Sequence, residues 1–267
     1  MDSADVLGML QEVAAQIITP HFRSLADDEV FEKAPGDLVT VADRQAEQEL
    51  TRKLREAFPR AVIVGEEASA ADPSLLEGLT EPEQLFLIDP IDGTRNYVQG
   101  HDDHAVMVAE VHRGETVRSW IWQPMHKLGY VAERGAGLWC NGERVTRPES
   151  GTDPADWAGV APHSDTLNEV NHGLAPVRRA AWCCGVDYPR LATGETDYLI
   201  YRGSKPWDHL PGVLMVTETG GVARRIDGAP YSIDTRGGGL LAAANADIWQ
   251  RVHDGLFADS GIGPKDL

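Results

Sequence analysis

A chain of 267 residues with 42% hydrophobic and 25% charged content has the composition of a soluble globular protein, long enough for one large core or two intimate subdomains. Its formal net charge of −18 argues against a nucleic-acid polymer as a bulk partner and against an anionic membrane surface, because both reward basic faces. Neither an apolar run of about 18 residues nor a basic stretch followed by an apolar one is present, so no spanning helix and no secretory signal are expected. The three cysteines, Cys140, Cys183 and Cys184, form neither a disulfide framework nor a zinc pattern. Reduced thiols in a cytoplasmic protein are expected.

Val6, Leu10, Val13, Ala14, Ile17 and Ile18 recur at helical spacing, which predicts an amphipathic helix over 5–22, ending or kinking near Pro20. Residues 33–43 read as a loop entering a helix, with Thr40 or Asp43 as its cap and Pro59 as its stop. Ala61–Val64 reads as a short buried strand, with Gly65-Glu66-Glu67 at its end. Residues 68–83 read as an acidic surface excursion. Leu85-Phe86-Leu87-Ile88 is a second buried strand, running into Asp89-Pro90-Ile91-Asp92-Gly93-Thr94, where Pro90 is expected to break it. His101 and His104 are expected in a solvated loop.

Three strands follow, over 105–111, 116–122 and 128–133, with a tight turn at Arg113-Gly114-Glu115 and a hairpin at Asn141-Gly142. The Pro-, Gly- and Ser-rich stretch 148–156 is the expected boundary between subdomains 1–147 and 157–267. Beyond it, strand and helix alternate: strand 177–182, helix 186–193, strand 197–201, helix 207–219 stopped by Gly220-Gly221, strands 222–226 and 240–244, and helix 246–257. An α+β first half and an α/β second half are expected.

The chemistry concentrates where these strands end. Two carboxylates three residues apart, on a bend that precedes a helix start, can converge on one point. Hard divalent cations take such oxygens, and the N–H groups of a helix N-terminus favour a phosphate. Phosphatases of the haloacid dehalogenase type carry a related Asp-x-Asp-Gly-Thr, but their two carboxylates stand two apart. The three-residue spacing of Asp89 and Asp92 does not reproduce that geometry.

Gly65-Glu66-Glu67, then Asp89-Pro90-Ile91-Asp92-Gly93-Thr94, then Trp207-Asp208 leading to Gly220-Gly221, resemble in order and context the inositol monophosphatase family. Asp37-Leu38-Val39-Thr40 with Asp43, and Lys33 before them, fit the same pattern. The resemblance spans about residues 5–260. It implies a layered αβαβα sandwich and a Mg²⁺-dependent, lithium-sensitive phosphomonoesterase, commonly a homodimer, holding two to three Mg²⁺ ions per active site. By the same resemblance, Glu66, Asp89 and the Ile91 carbonyl would hold one ion. Asp89, Asp92 and Asp208 would hold a second, and a third would sit near Glu66. Asp43 and Thr94 would orient the attacking water, and Gly93 and Thr94 would offer N–H groups to the phosphate. Cys184 would line the pocket.

One departure bears on the substrate. Family members acting on inositol phosphate carry a Glu seven residues before the Trp-Asp aspartate; here Tyr201 occupies that place. Arg202 and Lys205 flank the substrate side of the Trp-Asp motif and are candidates to meet a second anionic group. The substrate expected is therefore a small phosphorylated metabolite: an inositol phosphate or sugar phosphate, with 3′-phosphoadenosine 5′-phosphate and histidinol phosphate as alternatives. A non-catalytic binding relative is the alternative of another class.

Overall fold

The computed structural model describes residues 1–169 and 173–258. Helix α1 (Ser3–Val13) is capped by Asp2 and continues through a π-helical segment (Ala14–Ile18) into the short α2 (Thr19–His21), so Pro20 lies in the last turn. Strands β1 (Val30–Ala34) and β2 (Asp37–Thr40) then form an antiparallel hairpin about Pro35-Gly36. The expected loop over 33–40 is thus a strand pair. Its sequence lacks a clear alternation, and pairing alone makes it extended. Helix α3 (Val41–Ala57) follows, with Thr40 as its N-cap and Asp43 completing a capping box.

Strand β3 (Val62–Gly65) passes directly into the short helix α4 (Glu66–Ala71). Strand β4 (Leu85–Asp92) pairs in parallel with β3 and precedes α5 (Thr94–Val98). Strands β5 (Ala105–His112), β6 (Glu115–Gln123), β7 (Leu128–Glu133), β8 (Gly137–Cys140) and β9 (Glu143–Arg144) extend β3 and β4 into a seven-stranded, otherwise antiparallel sheet. Asn141 and Gly142 both adopt positive φ, 49° and 82°, at the β8–β9 hairpin the dipeptide predicts.

The second half adds β10 (Gly159–Ala161), α6 (Ser164–Asn168), β11 (Arg178–Arg179), α7 (Cys184–Thr193), β12 (Tyr198–Tyr201), α8 (Pro206–Glu218), β13 (Val222–Arg225), β14 (Leu240–Ala243) and α9 (Ala246–His253). Its five-stranded sheet runs β11-β10-β12-β14-β13, parallel through β12 and antiparallel beyond it. The strand expected over 177–182 shrinks to two residues at the sheet edge. Instead β10, too short to carry a periodic signal, sits between β11 and β12. The end of the subdomain expected over 157–267 lies outside the described residues.

Five layers result. Helices α1 and α3 pack on one face of the large sheet through Phe86, Ile88, Val108 and Trp120. Helices α7 and α8 lie between the two sheets, and α9 packs against β14 on the far side. Strand β4 shows why its sequence is continuously apolar: Phe86 and Ile88 face α1 and α3, while Leu85 and Leu87 face Trp207 and Leu210 of α8. One core cluster joins the inner face of the large sheet to α7, α8 and the small sheet, so the two halves share a hydrophobic core. His104 belongs to the interior as well, 1% exposed and packed on Phe22 and Tyr97, contrary to the solvated loop expected.

Candidate active site

Pro90 does not end β4; it sits inside a bulge. Asp89 stands opposite Met107 and Asp92 opposite Ala105, three residues against two on the partner strand. The extra residue compensates for the odd spacing, so both carboxylates emerge on one side. Glu66, the first residue of α4, and Asp208, in the first turn of α8, meet Asp89 there. Carboxylate oxygens of Glu66, Asp89 and Asp208 all lie within 4.8 Å of one another. Asp89 is 2% exposed and its Oδ1 has no hydrogen-bond partner. Burial, followed by the charges of Glu66, Asp92 and Asp208, pushes the Asp89 carboxyl well above the usual carboxylate range. Burial and Glu66 do the same to Asp208. Burial also acts on Glu66, but Lys205 and Lys33 outweigh it and hold Glu66 low. An orphaned buried oxygen in a converging carboxylate set fits a hard divalent cation.

The supports are built into the same elements. Asp43 Oδ2 accepts from Thr40 N–H (2.8 Å) and Thr40 Oγ1 (2.5 Å), closing the α3 capping box. Its other oxygen, Oδ1, lies 3.2 Å from Thr94 Oγ1, which can donate there or to the Ile91 carbonyl at 2.9 Å. Burial raises the Asp43 pKa to about 7. Glu47, which sequence reading left among ordinary helix residues, accepts from the N–H groups of Glu67 (2.7 Å) and Ala68 (2.9 Å). It thereby fixes the start of α4 and the position of Glu66. An added Cβ at Gly65 would overlap the Glu47 carboxylate, which explains the glycine in Gly65-Glu66-Glu67. Only the i,i+4 relation of Asp43 and Glu47 on α3 hinted that both point the same way.

Asp92 stands apart from the triple cluster. Its Oδ2 accepts from Gly185 N–H (2.5 Å) at the start of α7 and from Cys183 Sγ (3.0 Å). Burial raises its pKa to about 7 against those bonds. Gly93 adopts φ +80°, and a Cβ there would crowd Asp103 O and Cys183. A cavity of about 240 Å³ opens beside Asp92 and Asp208. Trp182, His163, Cys184, Tyr201 and Arg202 are among the residues that line it.

Of the substrate-side residues, the structure brings Cys184, Tyr201 and Arg202 to the cavity but not Lys205. Lys205 Nζ lies 3.0 Å from Glu66 Oε1, the oxygen that Lys33 also approaches at 3.1 Å. Lys205 is thus occupied on the metal side. The Tyr201 hydroxyl donates its proton to Asp187 Oδ2. His209 packs in the interior, its Nδ1 2.9 Å from the Tyr188 hydroxyl, and burial lowers its pKa to about 3.

The sequence profile of the inositol monophosphatase family matches residues 4–260. The chain belongs to that family. An inositol-1-monophosphatase from Rhizobium meliloti is 30% identical over 260 residues, covering 91% of this chain and 92% of the relative. The Nus factor SuhB of Pseudomonas aeruginosa is 30% identical over 254 residues, covering 90% of each. Among solved structures, an IMPase/NADP phosphatase complexed with Mg²⁺ and phosphate superposes with a TM-score of 0.81 at 26% identity, over 97% of this chain and 94% of that one. Family membership makes the chain a phosphoric monoester hydrolase, and the αβαβα layering is the family's fold.

Proposed function

We propose that the chain is a Mg²⁺-dependent phosphomonoesterase that hydrolyses a small phosphorylated metabolite with an activated water. The observation that carries this reading is the convergence of Glu66, Asp89 and Asp208 around the unpartnered Asp89 Oδ1. Glu66, Asp89 and the Ile91 carbonyl would hold one ion; Asp89, Asp92 and Asp208 a second; and the oxygens of Glu66 a third, weaker one. Bound there, divalent ions supply charge to the phosphoryl oxygens and acidify a coordinated water. The chain's own residues do the rest. Asp43 receives a proton through the Thr94 hydroxyl, whose bond to Asp43 Oδ1 gives the proton a route. Gly93 and Thr94 turn backbone N–H groups to the phosphate at the start of α5. Lys33 and Lys205 offset the negative charge of Glu66. Phosphoryl transfer needs this positioning and charge more than it needs a covalent nucleophile.

A cytoplasmic homodimer with subdomains 1–147 and 157–267 is part of the same proposal. The non-catalytic alternative is disfavoured because all of the proposed metal carboxylates are retained, with Thr94 and Asp43 hydrogen-bonded. The decisive experiment is phosphate release from an aryl or sugar phosphate with and without Mg²⁺, in the wild type and in Asp89→Asn. Asp89→Asn should abolish turnover while circular dichroism stays native. Near-normal turnover of that variant at saturating Mg²⁺ would overturn the metal assignment.

A further inference from the structure

Asp187, in the first turn of α7, is 1% exposed and lies outside the carboxylate cluster. All of its bonds bear on the turn that precedes α7. Ala181 N–H donates to both of its oxygens (3.0 and 3.1 Å), and the Tyr201 hydroxyl, from β12, donates to Oδ2. Its own N–H donates to Cys183 O (2.9 Å). The chain between is drawn into a tight loop in which Trp182 takes φ +60°. A bulky residue holds that conformation only where its surroundings impose it. The first half of the chain grips the same turn. Asn96 Nδ2 donates to Ala181 O (2.7 Å) and the buried Gln123 Nε2 to Gly185 O (2.7 Å). Both ends of the turn, Ala181 and Gly185, thus have their N–H and their carbonyl bonded.

What the turn holds is Asp92. Gly185 N–H and Cys183 Sγ both donate to Asp92 Oδ2, and among the described residues Oδ1 accepts no hydrogen bond. Two bonds on one oxygen fix the rotation of the carboxylate and leave the other oxygen to a ligand. The approach is close: a Cβ at Gly185 would lie 2.5 Å from Ala105 Cβ and 3.3 Å from Asp92 Oδ2. A small shift of the turn would therefore move or release the carboxylate. The line of bonds runs from Tyr201 to Asp187, from Asp187 to Ala181, and through the turn to Asp92. It also gives Tyr201 a task other than meeting substrate. Its ring stacks on Tyr188 at 6.3 Å between centroids, so the hydroxyl is the one part of the side chain that this line uses. Partners that orient a ligating carboxylate from outside are commonly worth ten- to a hundredfold in metal affinity.

We propose that Asp187, held by Tyr201, is a positioning residue for Asp92: through the turn over 181–185 the pair sets the orientation in which Asp92 takes the second divalent ion. This rests on the metal-dependent phosphomonoesterase reading, and the experiment separates the two. Calorimetric titration of the substrate-free protein with Mg²⁺ reads the ions directly, and the step that Asp92→Asn abolishes is the second ion. Tyr201→Phe removes one hydroxyl, changes no charge and keeps the ring; Asp187→Asn keeps an oxygen for Ala181 N–H. Each should weaken the second step about tenfold and leave the ion assigned to Glu66, Asp89 and the Ile91 carbonyl within twofold of wild type. A merely structural defect would weaken both steps or neither. Because hydroxyl and carboxylate act as one couple, Tyr201→Phe/Asp187→Asn should be no weaker than the worse single variant. Steady-state rates should agree: half-activation should need about tenfold more Mg²⁺, and kcat should recover when Mg²⁺ is raised. Second-step affinity unchanged in both single variants, equal weakening of both steps, or losses that multiply in the double variant overturn the positioning role. A wild type that binds no Mg²⁺ overturns it together with the metal assignment. Binding of Mg²⁺ without hydrolysis of any phosphate ester overturns the phosphatase reading alone, and the titration still decides the role of Asp187.

Discussion

Asp43→Asn separates the structural from the chemical work of one buried carboxylate. Asp43 Oδ2 closes the α3 capping box with two bonds from Thr40, and Oδ1 faces Thr94. Asparagine keeps one oxygen. Turned toward Thr40, that oxygen preserves both capping bonds, and the amide nitrogen then faces Thr94 Oγ1 as a donor. Thr94 is left to donate to the Ile91 carbonyl, already 2.9 Å away. No buried donor loses its partner, and a carboxylate whose pKa burial has raised to about 7 is replaced by a neutral group. Stability should therefore change by less than about 1 kcal/mol. Asp43→Ala removes all of these bonds and should cost about 2 kcal/mol, on the scale of a lost cap with a buried unpaired N–H. Activity should respond in another way. In Asp43→Asn the Thr94 proton no longer has a basic acceptor, so turnover should fall about 10²- to 10⁴-fold, the usual worth of a positioned general base. Wild-type kcat should rise with pH as Asp43, whose carboxyl burial pushes up, gives up its proton, and the residual activity of the variant should lose that rise. Urea denaturation and pH–rate profiles of the two variants provide the test. Turnover of Asp43→Asn within tenfold of wild type, or loss of its fold, would refute this division of roles.

Four further outcomes are expected. In EDTA, Asp43, Glu47 and Asp92 titrate near 7 in the folded protein against 3.8 to 4.5 ordinarily. The folded state therefore binds more protons than the unfolded one, and stability should fall as pH rises from about 4 to 7. Mg²⁺ at a hundredfold excess over its dissociation constant should restore about 2.7 kcal/mol at pH 7, and an unchanged melting temperature would count against a formed site. LiCl should inhibit turnover relative to matched KCl, an expectation resting on the family alone, and equal rates would sink it. Inositol 1-phosphate should be about ten- to a hundredfold poorer in kcat/KM than the best phosphate ester in a panel, because no carboxylate stands at Tyr201 and a charged hydrogen bond is worth roughly 1.5–3 kcal/mol. Should inositol 1-phosphate lead the panel, the argument from Tyr201 fails.

Local sequence determined what local physics controls. The turn at Asn141-Gly142, the cap at Thr40 with Asp43, the stop after α8 and the buried run of β4 all follow from preferences that act within a few residues. The carboxylates at strand ends and helix starts were legible for the same reason, since charge directly after an apolar strand marks an emerging edge. Tertiary structure decided the rest. Pro90 bulges β4 instead of ending it because β5 continues to pair on both sides of it. Residues 37–40 became a strand because β1 was there to pair with. Glu47 became a support for α4, and Lys205 turned to Glu66 instead of the substrate, because each met a partner remote in sequence: Glu67 and Ala68 about twenty positions on, and Glu66 on a different layer. Hydrogen bonds and ion pairs between distant segments depend on how the layers stack, and that depends on the summed packing of the whole core, so no window of the sequence contains it.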